Sequence, residues 1–144
     1  MPSLSGQCNP AVGPLIQMGV EPAGTLAAAP NRILQPVPAN RLFAGLVDTG
    51  ATTSCISAAV IAALGLTPSG MRQMGSATQP SVATNTYVVD LAVVFPGFPW
   101  WFANMLVFEY TPAPNCGHQV LMGRDIICQG AFTLHWDGHF SFSF

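Results

Sequence analysis

An all-β chain carrying one or two short helices is what three features of this sequence predict. Residues 87–95, YVVDLAVVF, form a long run rich in β-branched side chains, which suits a pleated, half-buried surface. Residues 100–108 read as its partner strand, and Pro96-Gly97 between the two runs marks a turn. The C-terminal AFTLHWDGHFSFSF alternates apolar and polar residues on both sides of an Asp-Gly pair, the period of a hairpin.

The remaining elements follow in chain order. Residues 1–13 are rich in Pro, Gly and Ser and are expected to be a mobile N-terminal segment, with one domain over residues 14–144. Residues 14–20, PLIQMGV, read as a first strand. Residues 21–40 are rich in Ala and Pro with no clear period, which predicts a loop or an interrupted strand pair. Residues 42–47 are a short apolar run, a buried strand whose C-terminal end presents Asp48. Ser57 then suits the N-cap of a helix, AAVIAALGL, stopped by Gly65 and Pro68. Residues 71–84 scatter Gly, Ser, Thr, Gln and Pro among sparse apolar side chains and predict a mobile hairpin.

Pro112, Pro114, Asn115 and Gly117 mark a surface loop, and VLMGRDIICQG reads as strand, glycine and short helix ending near Gly130. In the last hairpin a two-residue Asp137-Gly138 loop would mix the two faces. A three-residue loop, Trp136-Asp137-Gly138, keeps them apart and pairs Leu134 with Phe140 and Phe132 with Phe142. No internal repeat is present.

Composition narrows the function. Half the residues are hydrophobic and only 7% are charged, against roughly 25% in ordinary soluble domains. Such a chain is expected to hide surface by oligomerising. A net charge of −2, no lysine, and four unclustered basic residues (Arg32, Arg41, Arg72, Arg124) exclude a nucleic-acid binder. The uncharged stretch LAVVFPGFPWWFANMLVF could pass for a membrane span, but Pro96, Gly97 and Pro99 would break a spanning helix. The aromatic knot Phe98, Trp100, Trp101, Phe102 is read as core, with a partner-facing or lipid-facing role as the alternative. The N-terminus has no signal-peptide pattern, so a cytoplasmic location is the default expectation. Cys8, Cys55, Cys116 and Cys128 show no CxxC pairing, and free thiols are the default, with Cys116–Cys128 the easiest bridge to close. His118, His135 and His139 lack ligand spacing; a solvated face is favoured over a metal site, and no cofactor is expected.

The chemistry turns on residues 46–57, LVDTGATTSCIS, where a carboxylate ends an apolar strand. A phosphoryl-accepting aspartate would need a nearby Lys and further carboxylates for magnesium, and the chain has no Lys. The segment also resembles the phosphate-binding hairpin of the actin, heat-shock and sugar-kinase ATPases. That fold needs two lobes and a second phosphate loop, for which this chain is too short.

A third resemblance is more specific. Asp48-Thr49-Gly50-Ala51, preceded by Leu46-Val47 and followed by Thr53 and Ile56-Ser57, resembles the active-site loop of retropepsin-like aspartic proteases. Alanine after the glycine is typical of that single-lobed family. About seventy residues on, Val120-Leu121-Met122-Gly123-Arg124-Asp125 resembles the family's apolar-apolar-Gly-Arg-Asp/Asn segment entering a short helix. The resemblance covers residues 14–144, with residues 21–40 and the hairpin over 71–84 poorly matched.

What the resemblance implies is a closed acid-protease barrel, active as a two-fold homodimer on an extended peptide or protein substrate. Asp48 is its catalytic residue, and one such motif per chain requires the second carboxylate to come from a second copy. Thr49 is implied to cross-link the two loops through its hydroxyl, and Gly50 to let backbone N–H groups approach the carboxylates. Ala51 is implied to line the cleft, with a substrate-closing flap whose tip lies near Gly75, Ser76, Ala77 and Thr78. Gly123, Arg124 and Asp125 are read as structural, Arg124 and Asp125 as an ion pair or helix-start charge. Two features depart from the retroviral enzymes: the flap has no Gly-Gly tip, and Thr52 replaces the acidic residue that usually engages the arginine. The competing class is a catalytically silent peptide-binding or dimerisation module on the same fold.

Overall fold

The computed structural model of the chain describes residues 2–76 and 78–144. In chain order it runs β1 (Ser3–Gln7), β2 (Leu15–Pro22), α1 (Thr25–Ala28), β3 (Leu42–Val47), β4 (Cys55–Ser57), α2 (Ala58–Leu64) and β5 (Gly70–Ser76). It continues through β6 (Gln79–Phe95), β7 (Phe98–Tyr110), β8 (Val120–Met122), α3 (Arg124–Ile127), β9 (Ala131–Leu134) and β10 (His139–Ser143). Two 3-10 turns, Pro30–Leu34 and Ala39–Arg41, bridge α1 to β3. The chain is therefore mostly β with few, short helices, as its sequence predicts.

Seven strands form one sheet in the order β2-β3-β8-β4-β7-β6-β5, and β2 also pairs with β6. Three strands form a second sheet, β1-β10-β9. The core gathers Met18, Val20, Ile56, Leu91, Val93, Val107, Met122 and Ile126 from the large sheet and α3, and closes over Phe140 and Phe142 of β10. The apolar runs read from the sequence are thus the strands that line one continuous interior.

The terminal hairpin adopts the predicted register, Phe140 opposite Leu134 and Phe142 opposite Phe132. Gly138 takes a φ of 85°, the left-handed conformation that closes a three-residue loop. Ser57 caps α2 by accepting from the Val60 N–H, and Gly65 ends the helix in the left-handed region.

Three differences from the sequence reading stand out. Within residues 1–13, whose composition predicts a mobile segment, Ser3–Gln7 instead pairs along β10, with Leu4 opposite Phe142. Its polar residues face outward, so no hydrophobic run announces it. Residues 21–40 hold α1 and the two 3-10 turns, elements too short to carry a period. They are tied down by polar contacts: Arg32 pairs with buried Glu21, and the buried Asp90 carboxylate accepts from the N–H groups of Leu26 (3.2 Å) and Asn104 (2.9 Å). Finally, β6 starts at Gln79, so the hairpin's second arm and the long strand are one unbroken element.

Among the described residues no helix is long and apolar enough to cross a membrane. The uncharged stretch at 91–108 is the β6–β7 hairpin, with Gly97 at φ 91° in its turn. Its aromatic knot is split: Phe102 is buried, whereas Phe98 stacks on Phe95 and Trp100 on Phe144 while staying partly exposed. All four cysteines are free thiols.

Candidate active site

Two parallel strands bring the two sequence motifs to one place. β3 and β8 run side by side with Val47 opposite Met122, so Asp48 and Gly123 leave the sheet at the same end. The Asp48 N–H donates to the Met122 carbonyl at 3.0 Å. The chain then turns tightly: Gly50 N–H donates to Asp48 Oδ1 at 2.9 Å and Ala51 N–H to the Asp48 carbonyl at 3.2 Å. Asp48 is half-buried, less than the apolar strand before it suggests, while Thr49 and Gly50 are exposed.

The Gly-Arg-Asp segment staples this loop from beneath. Arg124 donates from Nη1 to the Thr49 carbonyl and from Nη2 to Thr52 Oγ1, both at 2.9 Å. Thr52 is therefore the arginine's partner, a hydroxyl in place of a carboxylate. The Arg124 N–H donates to the Ala51 carbonyl at 2.9 Å. Asp125 accepts from Ser54 twice, from its N–H at 2.9 Å and its hydroxyl at 2.7 Å, and from the Ile126 N–H at 3.0 Å. Ser54 is fully buried, and its Oγ also accepts from the Gly123 N–H at 3.0 Å. Gly123 must lack a side chain here: a Cβ would sit 2.7 Å from the Thr53 carbonyl carbon. Of the two roles read for Arg124 and Asp125, the helix-start charge fits Asp125, while Arg124 binds the loop rather than its neighbour.

Asp48 opens on a cleft of about 620 Å³. Ala51 and Thr53 line its floor, and the hairpin of β5 and β6 forms one side through Gln73, Met74, Gly75, Ser76, Gln79 and Val82. Phe108, Tyr110 and Leu121 border it as well. Among the described residues Asp48 is the only charged side chain in this lining. Ser76 pairs with Gln79 across the hairpin end; of the residues expected at the flap tip, Ala77 is outside the described residues. The cleft thus gathers Asp48, Ala51, Gly75 and Ser76, whereas Gly123, Arg124 and Asp125 lie behind the loop.

Several residues at the site went unnoticed in the sequence. Ser54 sits between a polar turn and the buried Cys55-Ile56, a position that signals burial, yet nothing there names Asp125 as its partner. Cys55 also lines the cleft. Burial, then the neighbouring Asp125 and Asp48, push its thiol up to about 12, leaving almost no thiolate at neutral pH. Iodoacetamide at neutral pH is accordingly expected to modify exposed Cys128 and spare Cys55 in the native protein. Peptide mass mapping checks this, and equal labelling of the two would contradict a closed floor.

The Tyr110 hydroxyl lies 2.9 Å from His118 Nδ1. Burial holds the tyrosine above its ordinary range, with Cys116 and Cys55 adding to the effect. Burial lowers His118, partly opposed by Asp48. His135 and His139 face one another across the terminal hairpin. Among the described residues no three His, Cys, Asp or Glu side chains cluster as a metal ion requires.

Comparison with known proteins agrees with this geometry. The family model described as "Aspartyl protease" matches residues 40–126, more than half of the chain and the span that holds both motifs and the hairpin. No curated protein sequence matches. Among solved structures, the chain is similar to a retropepsin-like aspartic protease from Rickettsia conorii, with a TM-score of 0.59 at 13% identity. The likeness covers 97% of this chain and 89% of that one, and at such identity it speaks to the fold. The chain belongs to the aspartyl protease family, and its fold is of the retropepsin-like kind.

Proposed function

We propose that this protein is an aspartic endopeptidase, active as a homodimer in which Asp48 of each subunit meets its twin across a two-fold axis. The observation that carries the reading is the isolation of Asp48: among the described residues it is the single charged side chain in a large cleft whose lining is otherwise apolar or neutral. Peptide hydrolysis of this type needs two carboxylates around one water. At that separation both cannot ionise, so one stays protonated to polarise the scissile carbonyl while the other deprotonates the water. The two titrate as a coupled pair. No cofactor enters this chemistry.

The other site residues take their roles from the same arrangement. The Gly50 N–H, bonded to Asp48 Oδ1, orients the carboxylate. The exposed Thr49 side chain is free to bond across the axis, while its carbonyl is held by Arg124. Gly75 and Ser76 lie at the flap end, which closes over an extended peptide by main-chain hydrogen bonds as an added strand does. Ala51 contacts the substrate. Gly123, Arg124 and Asp125 hold the loop in shape. The pairing of β2 with both β3 and β6 supports a closed barrel. The protease domain spans residues 14–144, with β1 added at one edge.

Dimerisation draws support from the small sheet. β9 ends that sheet, and beside it Leu134 and Trp136 are 53% and 98% exposed. An open strand edge flanked by large apolar side chains is a surface that a second copy would cover.

The test is cleavage of a random peptide pool across roughly pH 3–7, a range that brackets carboxylate titration. Cleavage favoured at acid pH and suppressed by pepstatin is expected. Cleavage that pepstatin leaves untouched would contradict the assignment.

A further inference from the structure

We propose that Tyr110 is a substrate-contacting residue whose hydroxyl donates a hydrogen bond to a substrate carbonyl oxygen when His118 becomes protonated. The proposal rests on the peptidase reading of the cleft and adds a residue pair to it. Tyr110 ends β7 and borders the cleft; His118 lies at the far end of the loop that follows, buried to 9% exposure. Their ring planes are nearly parallel, 11° apart, with the hydroxyl 2.9 Å from Nδ1. The loop between them is anchored. Cys116 Sγ donates to the His118 carbonyl at 3.3 Å, and Gln119 bonds through its N–H to Ala44 (2.9 Å) and through its carbonyl to Ser57 (3.0 Å).

The direction of the bond follows from basicity. An imidazole nitrogen is a far better proton acceptor than a phenol oxygen, so with His118 neutral the Tyr110 O–H donates to Nδ1. The phenol itself stays protonated, because burial and the nearby Cys116 and Cys55 disfavour its anion. When the imidazole takes a proton from solvent, Nδ1–H becomes the donor and the phenol oxygen the acceptor. The hydroxyl proton is not lost; it rotates off the Tyr110–His118 axis, and the cleft is the open space Tyr110 borders. A neutral acceptor there, a peptide or side-chain amide carbonyl, then gains a donor that it lacked.

The groups facing the pair set where this occurs. Asp48 approaches from the loop after β3, Cys55 from β4 and Cys116 from the loop itself, whereas Glu109 is turned away onto Asn85 and Tyr87. Burial outweighs the pull of Asp48 and lowers the His118 transition below its ordinary value. The switch therefore lies on the acid side, where the carboxylate pair is expected to work.

The experiment has two arms on the full chain. In the first, KM and kcat are followed against pH for the wild type, Tyr110→Phe and His118→Asn, whose amide cannot titrate. The wild-type KM is expected to fall about two- to tenfold on acidification, the size of one neutral hydrogen bond. Both variants are expected to lose that dependence while kcat keeps its carboxylate profile. A wild-type KM transition that persists in Tyr110→Phe overturns the proposal. In the second, nitrogen-15 shifts of His118 are read without substrate. Nδ1 is expected to be unprotonated at neutral pH and to titrate on the acid side, and an Nδ1-protonated neutral ring overturns the proposal even if no peptide is cleaved. Failure of cleavage alone, with the expected shifts, instead removes the peptidase reading on which the substrate role depends.

Discussion

Asp48→Asn is expected to lower peptide cleavage by about 10²–10⁴-fold, the range over which a positioned acid or base contributes, with no loss of folded protein. Asparagine fills the same volume and its amide oxygen can still accept from the Gly50 N–H that now serves Oδ1. The loop is held mainly from behind, by Arg124 and Asp125, so its shape does not depend on the carboxylate charge. Dimerisation, read by sedimentation, is expected to survive. Undiminished cleavage would refute the assignment. A wild type that binds extended peptides without cutting them, and a variant that binds them equally, would favour the silent binding module instead.

Asp125→Ala is expected to have the largest effect on stability. It removes three bonds to a carboxylate, those from the Ile126 N–H and from Ser54, and leaves the Ser54 N–H and hydroxyl buried without their acceptor. A hydrogen bond to a charged group contributes about 1.5–3 kcal/mol, and an orphaned buried donor costs a comparable amount. A loss of about 3 kcal/mol, or roughly 10 °C in Tm for a domain of this size, should be visible by calorimetry, with cleavage falling in parallel as the Asp48 loop loosens. Gly123→Ala should act in the same direction, since its Cβ would press on the Thr53 backbone at 2.7 Å, which no side-chain rotation can relieve. Arg124→Ala should cost less, because its bonds lie at the exposed side of the loop. An Asp125→Ala protein as stable as the wild type would contradict the staple.

How much of this was legible in the sequence depended on how local the cause was. The Asp48 loop, the Gly-Arg-Asp turn and the terminal hairpin are each written in contiguous residues whose pattern has a geometric meaning. The hairpin register followed from face alternation alone, because a two-residue loop would have mixed the faces. β1 and the 21–40 segment were not legible: the strand has no apolar period, and the short helical turns are held by the distant Asp90 and by an ion pair between Arg32 and Glu21 that no local pattern announces. The start of β6 was obscured because its first half pairs with β5 in a polar, exposed hairpin rather than in the core. Asp125 was visible as a helix-start charge, but its bond to Ser54 crosses from one motif to the other and needs the parallel pairing of β3 with β8. Tyr110 and His118 were invisible as a pair for the same reason: eight residues apart in sequence, they meet only because the loop folds back.

The most direct test of the shared carboxylate pair is a mixing experiment. Wild-type and Asp48→Asn chains are unfolded together, refolded at varying proportions and assayed for cleavage at fixed total protein. If each site needs one aspartate from each of two copies, activity falls as the square of the wild-type fraction. A fall in simple proportion to that fraction would mean that each chain works alone.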